Sequence, residues 1–290
     1  FQMSVFLNYL ENRMHVLIIF LKAELCVCVS HRENYPVKTN LQKFTPGSPE
    51  ARRLRFLLHG PVGAGKSSIA NSINSVFQGR IKRNAHVAPS SGESETKKIK
   101  DQQGKKLSFV FNDMMGVEYT ETGGVLTADI ISALKGHIKD GYVFNELSPL
   151  SDGLYYNSNP TLDDKVHCLV SVISADKILL LEETHGLIKK MREVRVVAKN
   201  LDIPHVVLMT HVDSCCPLVK DDLDKIYISK KIKQAVSFSF VCLGVSMNRI
   251  FPMKNYHEEL DINEKVDALI LHVLHNILFI EKKSALVQSV

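Results

Sequence analysis

The sequence predicts an α/β fold of three layers with a mainly parallel sheet, preceded by a helical extension. A short apolar run at residues 54–59 leads directly into a glycine-rich stretch, and a helical pattern follows through 68–77. Further apolar runs at 107–111, 166–173 and 203–209 have the length and unbroken hydrophobicity of strands buried on both faces. Helical periodicities at 126–134, 182–200 and 262–280 alternate with them. In the last, Val266, Leu269, Ile270, Val273, Ile277 and Ile280 form one core-facing stripe.

Composition narrows the classes. The 290 residues are 45% hydrophobic and 23% charged, which supports a large core and excludes disordered, collagen-like and low-complexity chains. A net charge of +5 is too mild to imply nucleic acid without a clustered basic face. The lysines at 97, 98, 100, 105 and 106 read as a solvated hairpin, so nucleic acid is not an expected partner. Six cysteines without a paired CxxC fit a reduced, intracellular protein with neither a disulfide frame nor a zinc site. His272 and His275 lie three apart but lack neighbouring Cys or carboxylate ligands, so no metal is assigned to them.

The N-terminal region reads differently. Phe6, Leu10, Met14, Leu17 and Leu21 share one helical face, which packs on the main domain or a partner, with a membrane surface as the alternative. No apolar run reaches the roughly 18 residues of a membrane span, and no clear cleavage site follows the short stretch after Met14. Residues 31–53, with Pro36, Pro46, Gly47 and Pro49, read as a linker. The expected organisation is an extension over 1–50 and a domain over 51–290, with 136–165 as an inserted loop region. Tyr142, Phe144, Tyr155 and Tyr156 in that insert are read as packing residues or as a partner surface. The start at Phe1 rather than Met reads as a fragment or an imperfect gene model.

Chemistry begins at Gly60-Pro61-Val62-Gly63-Ala64-Gly65-Lys66-Ser67, a full GxxxxGK[ST] match between a strand and a helix. Gly60, Gly63 and Gly65 let the backbone turn so that N–H groups, including those of Val62, Ala64 and Ser68, point at phosphate oxygens. The helix start adds its own donors and its positive dipole end. Lys66 bridges the β and γ phosphates, and the Ser67 hydroxyl ligates Mg²⁺. Asp113 ends the next apolar strand and supplies a carboxylate for Mg²⁺, while Gly116 offers its N–H to a γ-phosphate. The polar segment 84–98 reads as a switch loop, with Thr96 as its Mg²⁺ hydroxyl and Ser94 as the alternative. After the strand at 203–209 comes Thr210-His211-Val212-Asp213, a relaxed form of the guanine-reading NKxD signature. A carboxylate there accepts the guanine N1–H and N2–H donors that adenine lacks. His211 stands where a lysine stem covers the base, and an imidazole can stack in its place.

The ordered set GPVGAGKSS, DMMG and THVD, beside Asn71-Ser72-Ile73-Asn74-Ser75 and Leu134-Lys135-Gly136-His137, resembles the interferon-induced protein 44 family. That family consists of innate-immune, GTPase-like relatives of the P-loop GTPases. Phe251-Pro252-Met253-Lys254-Asn255-Tyr256 is similar to its motif on the far side of the base. The resemblance covers residues 54–280 and leaves 1–50 outside it. It implies GTP or GDP with Mg²⁺ as cofactors, a cytoplasmic setting and a role in the immune or antiviral response. In small GTPases a glutamine follows DxxG and orients the attacking water. Here that position is Val117, Glu118 is expected to point elsewhere, and Arg80 and Arg83 read as solvated surface. Slow hydrolysis, or hydrolysis dependent on a protein partner or self-association, is therefore expected. The rivals are a nucleotide-binding scaffold without hydrolysis and a P-loop ATPase or nucleotide kinase, though no arginine-rich lid is evident.

Overall fold

The first apolar run forms β1 (Leu54–His59) in the computed structural model, which describes residues 31–48, 50–82, 94–118 and 124–288. The helical face expected at Phe6–Leu21 and residues 84–93 of the switch segment lie outside the described residues. The helices are α1 (His31–Gln42), α2 (Lys66–Gln78), α3 (Thr127–Leu134), α4 (Ile178–Glu183) and α5 (His185–Asn200). They continue with α6 (Val212–Cys215), α7 (Pro217–Asp221), α8 (Lys230–Leu243) and α9 (Glu264–Gln288). After β1 come β2 (Glu95–Lys100), β3 (Lys106–Asp113), β4 (Cys168–Ser174), β5 (His205–Thr210) and β6 (Ile250–Pro252). The sheet order is β2-β3-β1-β4-β5-β6, with every pairing parallel except β2 with β3.

Leu54, Phe56 and Leu58 point to one face of the sheet, because side chains alternate along a strand. Phe56 meets Phe109 and Phe111 there, and Phe77 of α2 closes on Phe109 at 6.0 Å between ring centroids. The helix α9 packs beside α2 and carries α1 on its outer side. That second neighbour explains why Leu271, Leu274 and Leu278 are buried along with the expected stripe. On the opposite face α5 packs over β4 and β5.

Three expectations need correction. The linker read at 31–53 contains α1, whose Leu41 is buried and whose Lys38 Nζ donates to the Val76 carbonyl at 2.6 Å. Pro36 removes one ladder donor, yet tertiary contacts hold the helix against its weak propensity. The tract at 182–200 is divided into α4 and α5. The last helix runs eight residues beyond its predicted end at 280. Residues 136–165 contain no named helix or strand, and Arg55 ties Asp163 near their end to the sheet. The guanidinium of Arg55 donates to Thr96, Asn112 and the Asp163 carbonyl at 3.0–3.2 Å.

At the end of the sheet away from the glycine-rich loop, Glu281 lines a cavity of about 500 Å³ with His167, Leu134 and Pro204. Its Oε2 has no hydrogen-bond partner, and burial pushes the carboxyl up from 4.5 to about 7. The folded state keeps a proton that the unfolded chain releases, so stability drops as pH rises from about 4.5 to about 7. Glu281→Gln should raise the melting temperature by a few degrees at pH 8, roughly 1–2 kcal/mol. It should give no gain at pH 4, and melting curves at the two pH values check this.

Candidate functional site

The C-terminal ends of the parallel strands converge where the sheet order reverses around β1, the usual binding crevice of such sheets. The loop after β1 turns under the start of α2, whose first-turn N–H groups have no intrahelical partner. Close approach makes Gly60 necessary: its φ is +149°, and a Cβ there would lie 2.1 Å from the Val172 carbonyl oxygen of β4. Lys66 lies buried in the loop and donates to the carbonyls of Gly60 (3.0 Å) and Pro61 (2.8 Å). Burial lowers its ammonium to about pKa 8 against the supporting charges of Asp113 and Glu118. Burial raises the Asp113 carboxyl, and the neighbouring Ser67 hydroxyl, Lys66 and Lys97 pull it back down. Gly63 lies in the loop and Ser68 in the first turn of α2.

Several expected contacts are reassigned. The Val62 N–H donates to the Val117 carbonyl at 3.1 Å and the Ala64 N–H to Pro61 at 3.3 Å, so both donors are engaged inside the protein. Gly116 stands against the loop, where a Cβ would fall 2.8 Å from the Val62 nitrogen. Thr96 does not join Ser67 and Asp113. It pairs with Asn112, one residue before Asp113, so alternation puts it on the other sheet face. Its hydroxyl donates to Asp140 at 2.5 Å and accepts from Arg55 at 3.2 Å. Ser94 is buried, with its backbone bonded to Gly141 and Tyr142. Glu118, expected to point away, is near enough to support the Lys66 charge.

On the base side, Thr210 is fully buried and its hydroxyl bonds the Ala64 carbonyl at 2.7 Å and Ile173 at 3.1 Å. It ties β5 to the loop and does not face a ligand. His211, left-handed at φ +54°, sets Nδ1 2.7 Å from the Ser174 hydroxyl and its Cε1 edge toward Gly65. Asp213 starts α6 and faces Lys254 at 3.6 Å, which also holds Glu259 at 2.7 Å. Burial lowers Lys254, but the bonds and charges of Glu259 and Asp213 outweigh it and hold the ammonium above its ordinary range. Asn255 Nδ2 donates to the Gly65 carbonyl at 3.3 Å, leaving Oδ1 buried without a partner. The Tyr256 N–H anchors the same turn on Ser72 Oγ at 2.9 Å. Ser174 and Glu259 were not singled out from sequence: Ser174 ends β4, Glu259 lies beyond β6, and neither sits in a motif; Asn255 lies in the Phe251–Tyr256 stretch, whose sequence does not show that its amide reaches Gly65.

This architecture and loop define a P-loop protein with a GTPase-like fold. No protein-family model matches the chain. Interferon-induced protein 44 of Homo sapiens is 34% identical over 245 residues, covering 82% of this chain and 54% of that protein. Its Mus musculus counterpart is 32% identical over 247 residues, covering 82% and 57%. Among solved structures, a probable GTP-binding protein engB aligns at 13% identity and a TM-score of 0.45, covering 79% of this chain and 99% of that one. Over the matched span the chain belongs to the interferon-induced protein 44 family. It spans about half the length of the relatives it matches. Among the described residues no helix is long and apolar enough to cross a membrane.

Proposed function

We propose that this protein binds a guanine nucleotide with Mg²⁺ in the crevice above β1, as part of an interferon-induced immune response in the cytoplasm. The observation that carries the reading is the Ser67–Asp113 pair beside buried Lys66, with a second carboxylate, Asp213, across the same loop. The donor set fits the ligand. Hard oxygens of Ser67 and Asp113 suit Mg²⁺, and the ammonium with the free first-turn amides suits phosphate. When bound, the metal neutralises phosphate charge; Lys66 orients the phosphate chain, and Asp213 reads the base. The immune role rests on the relatives' names, and a protein partner or self-association remains part of the proposal.

For Asp213→Ala we expect at least a tenfold loss of preference for GTP over ATP with little change in ATP affinity, since only guanine offers N–H donors to that carboxylate. Titration with fluorescent analogues of both nucleotides in Mg²⁺ measures this. Equal binding of the two by the unsubstituted protein would instead favour the P-loop ATPase reading.

A binding scaffold that does not hydrolyse is the second reading, and Val117 favours it. That residue is fully buried, its N–H donates to Gly60 and its carbonyl accepts from Val62, so neither backbone group is left for a water. A turnover assay on nucleotide-loaded protein separates this from slow or partner-dependent hydrolysis.

A further inference from the structure

We infer that the insert 136–165 senses which nucleotide is bound, with Glu146 as the positioning residue for the loop that carries Gly116 and Val117; this rests on the nucleotide-binding reading above. The insert grips the chain on both sides of the expected γ-phosphate position. At the entrance to β2, the Ser94 N–H donates to the Tyr142 carbonyl at 2.8 Å and the Gly141 N–H to Ser94 at 2.9 Å. Two residues further, within β2, Thr96 donates to Asp140. After DMMG, the Gly124 N–H donates to Glu146 Oε1 at 2.7 Å, and the Leu150 N–H to Asp129 at the start of α3 at 2.8 Å.

A short bonded route runs from Glu146 to the phosphate loop. Gly124 pairs with Val117 in an antiparallel bridge, and Val117 pairs with Pro61 in a parallel one. Val117 then bonds Gly60 and Val62 through both of its backbone groups. The insert is itself stiff at this point. Tyr142 and Phe144 are buried edge to face with centroids 5.0 Å apart, and Asn145 Oδ1 accepts from the amides of Leu147 and Ser148 at 2.9 and 2.7 Å. Glu146 is thus fixed between a packed aromatic pair and a capped turn, while its exposed side chain contributes one hydrogen bond and little packing. Gly116 already stands against the loop, and the Glu146 bond holds Gly124, and through it Val117, in that place, so a γ-phosphate that needs Gly116 there binds better while the bond is made. By linkage, the Glu146 bond favours triphosphate over diphosphate.

The chain has no tryptophan, so Tyr155→Trp places a single fluorescent reporter in the insert. Its emission, and the affinities for GDP and a non-hydrolysable GTP analogue, are measured alone and with Glu146→Ala or Glu146→Gln. The reporter should respond more to the analogue than to GDP. Glu146→Ala should weaken the analogue about 3- to 10-fold, leave GDP unchanged and flatten the response. Glu146→Gln keeps an oxygen that accepts the Gly124 N–H and should restore both. An unchanged analogue-to-GDP ratio in the Ala variant, or equal weakening of both ligands, overturns the inference. Failure of the reporter protein to bind either nucleotide would overturn the nucleotide reading, and this inference with it.

Discussion

Lys66→Ala should weaken triphosphate binding about 100-fold while the protein stays folded. The lysine offers charge-assisted hydrogen bonds to two phosphates, and losing them costs roughly 3 kcal/mol. Stability should hold because Lys66 is a buried ammonium compensated only by two carbonyls and distant charge. Those carbonyls keep other donors when it goes: Gly60 accepts from Val117 and Pro61 from Ala64. Removing the ammonium therefore relieves desolvation without orphaning an acceptor. Calorimetric titration with a GTP analogue, beside a melting curve of each protein, tests both halves. The same lysine predicts a pH dependence. Its ammonium titrates near 8 in the free protein, and bound phosphate must raise that value, so affinity should fall as pH climbs above about 8.

Gly60→Ala should act in the opposite way, by unfolding. A methyl group there meets the Val172 carbonyl oxygen at 2.1 Å and its carbon at 3.1 Å, both backbone atoms of the neighbouring strand. No rotamer escapes this contact, and φ of +149° is unsuitable for alanine in any case. The pairing of β1 with β4 must open, at a cost of about 4 kcal/mol and a fall in melting temperature of roughly 10 °C. Gly47→Ala serves as the control, since nothing lies within 4 Å of that position. An unaltered melting curve for Gly60→Ala would show that β1 and β4 are not so closely apposed.

How far the sequence could be read depended on whether the information was local. Strand β1 and the loop behind it were legible because an unbroken apolar run and a fixed spacing both sit in one short stretch. Asp113 is legible for the same reason as the end of an apolar strand. Strand β2 is legible only as one arm of a lysine-lined hairpin: Glu-Thr-Lys-Lys-Ile-Lys has no apolar strand pattern, and its register comes from pairing with β3, with Arg55 holding Thr96. Thr96 was misplaced for a related reason. Which face a residue takes depends on strand register, and one residue of slip reverses it. The helix α1 was hidden by Pro36 and a polar composition, since Leu41 and Lys38 matter only once α2 and α9 are in place. Thr210 shows the limit within a motif: the signature marks it as a nucleotide-site residue, but its hydroxyl turns inward to hold the loop.

The strand order also has a consequence for biosynthesis. Strand β1 emerges from the ribosome before β3 and β4, yet it lies between them in the sheet. Until β4 is synthesised, one edge of β1, with Phe56 and Leu58, has no native partner, and parallel pairings over such distances close slowly. A nascent chain stalled before residue 168 would therefore present an apolar, unpaired edge to chaperones or to other copies of itself. The glycine-rich loop, although made before β4, acquires its shape only after Val172 arrives beside Gly60.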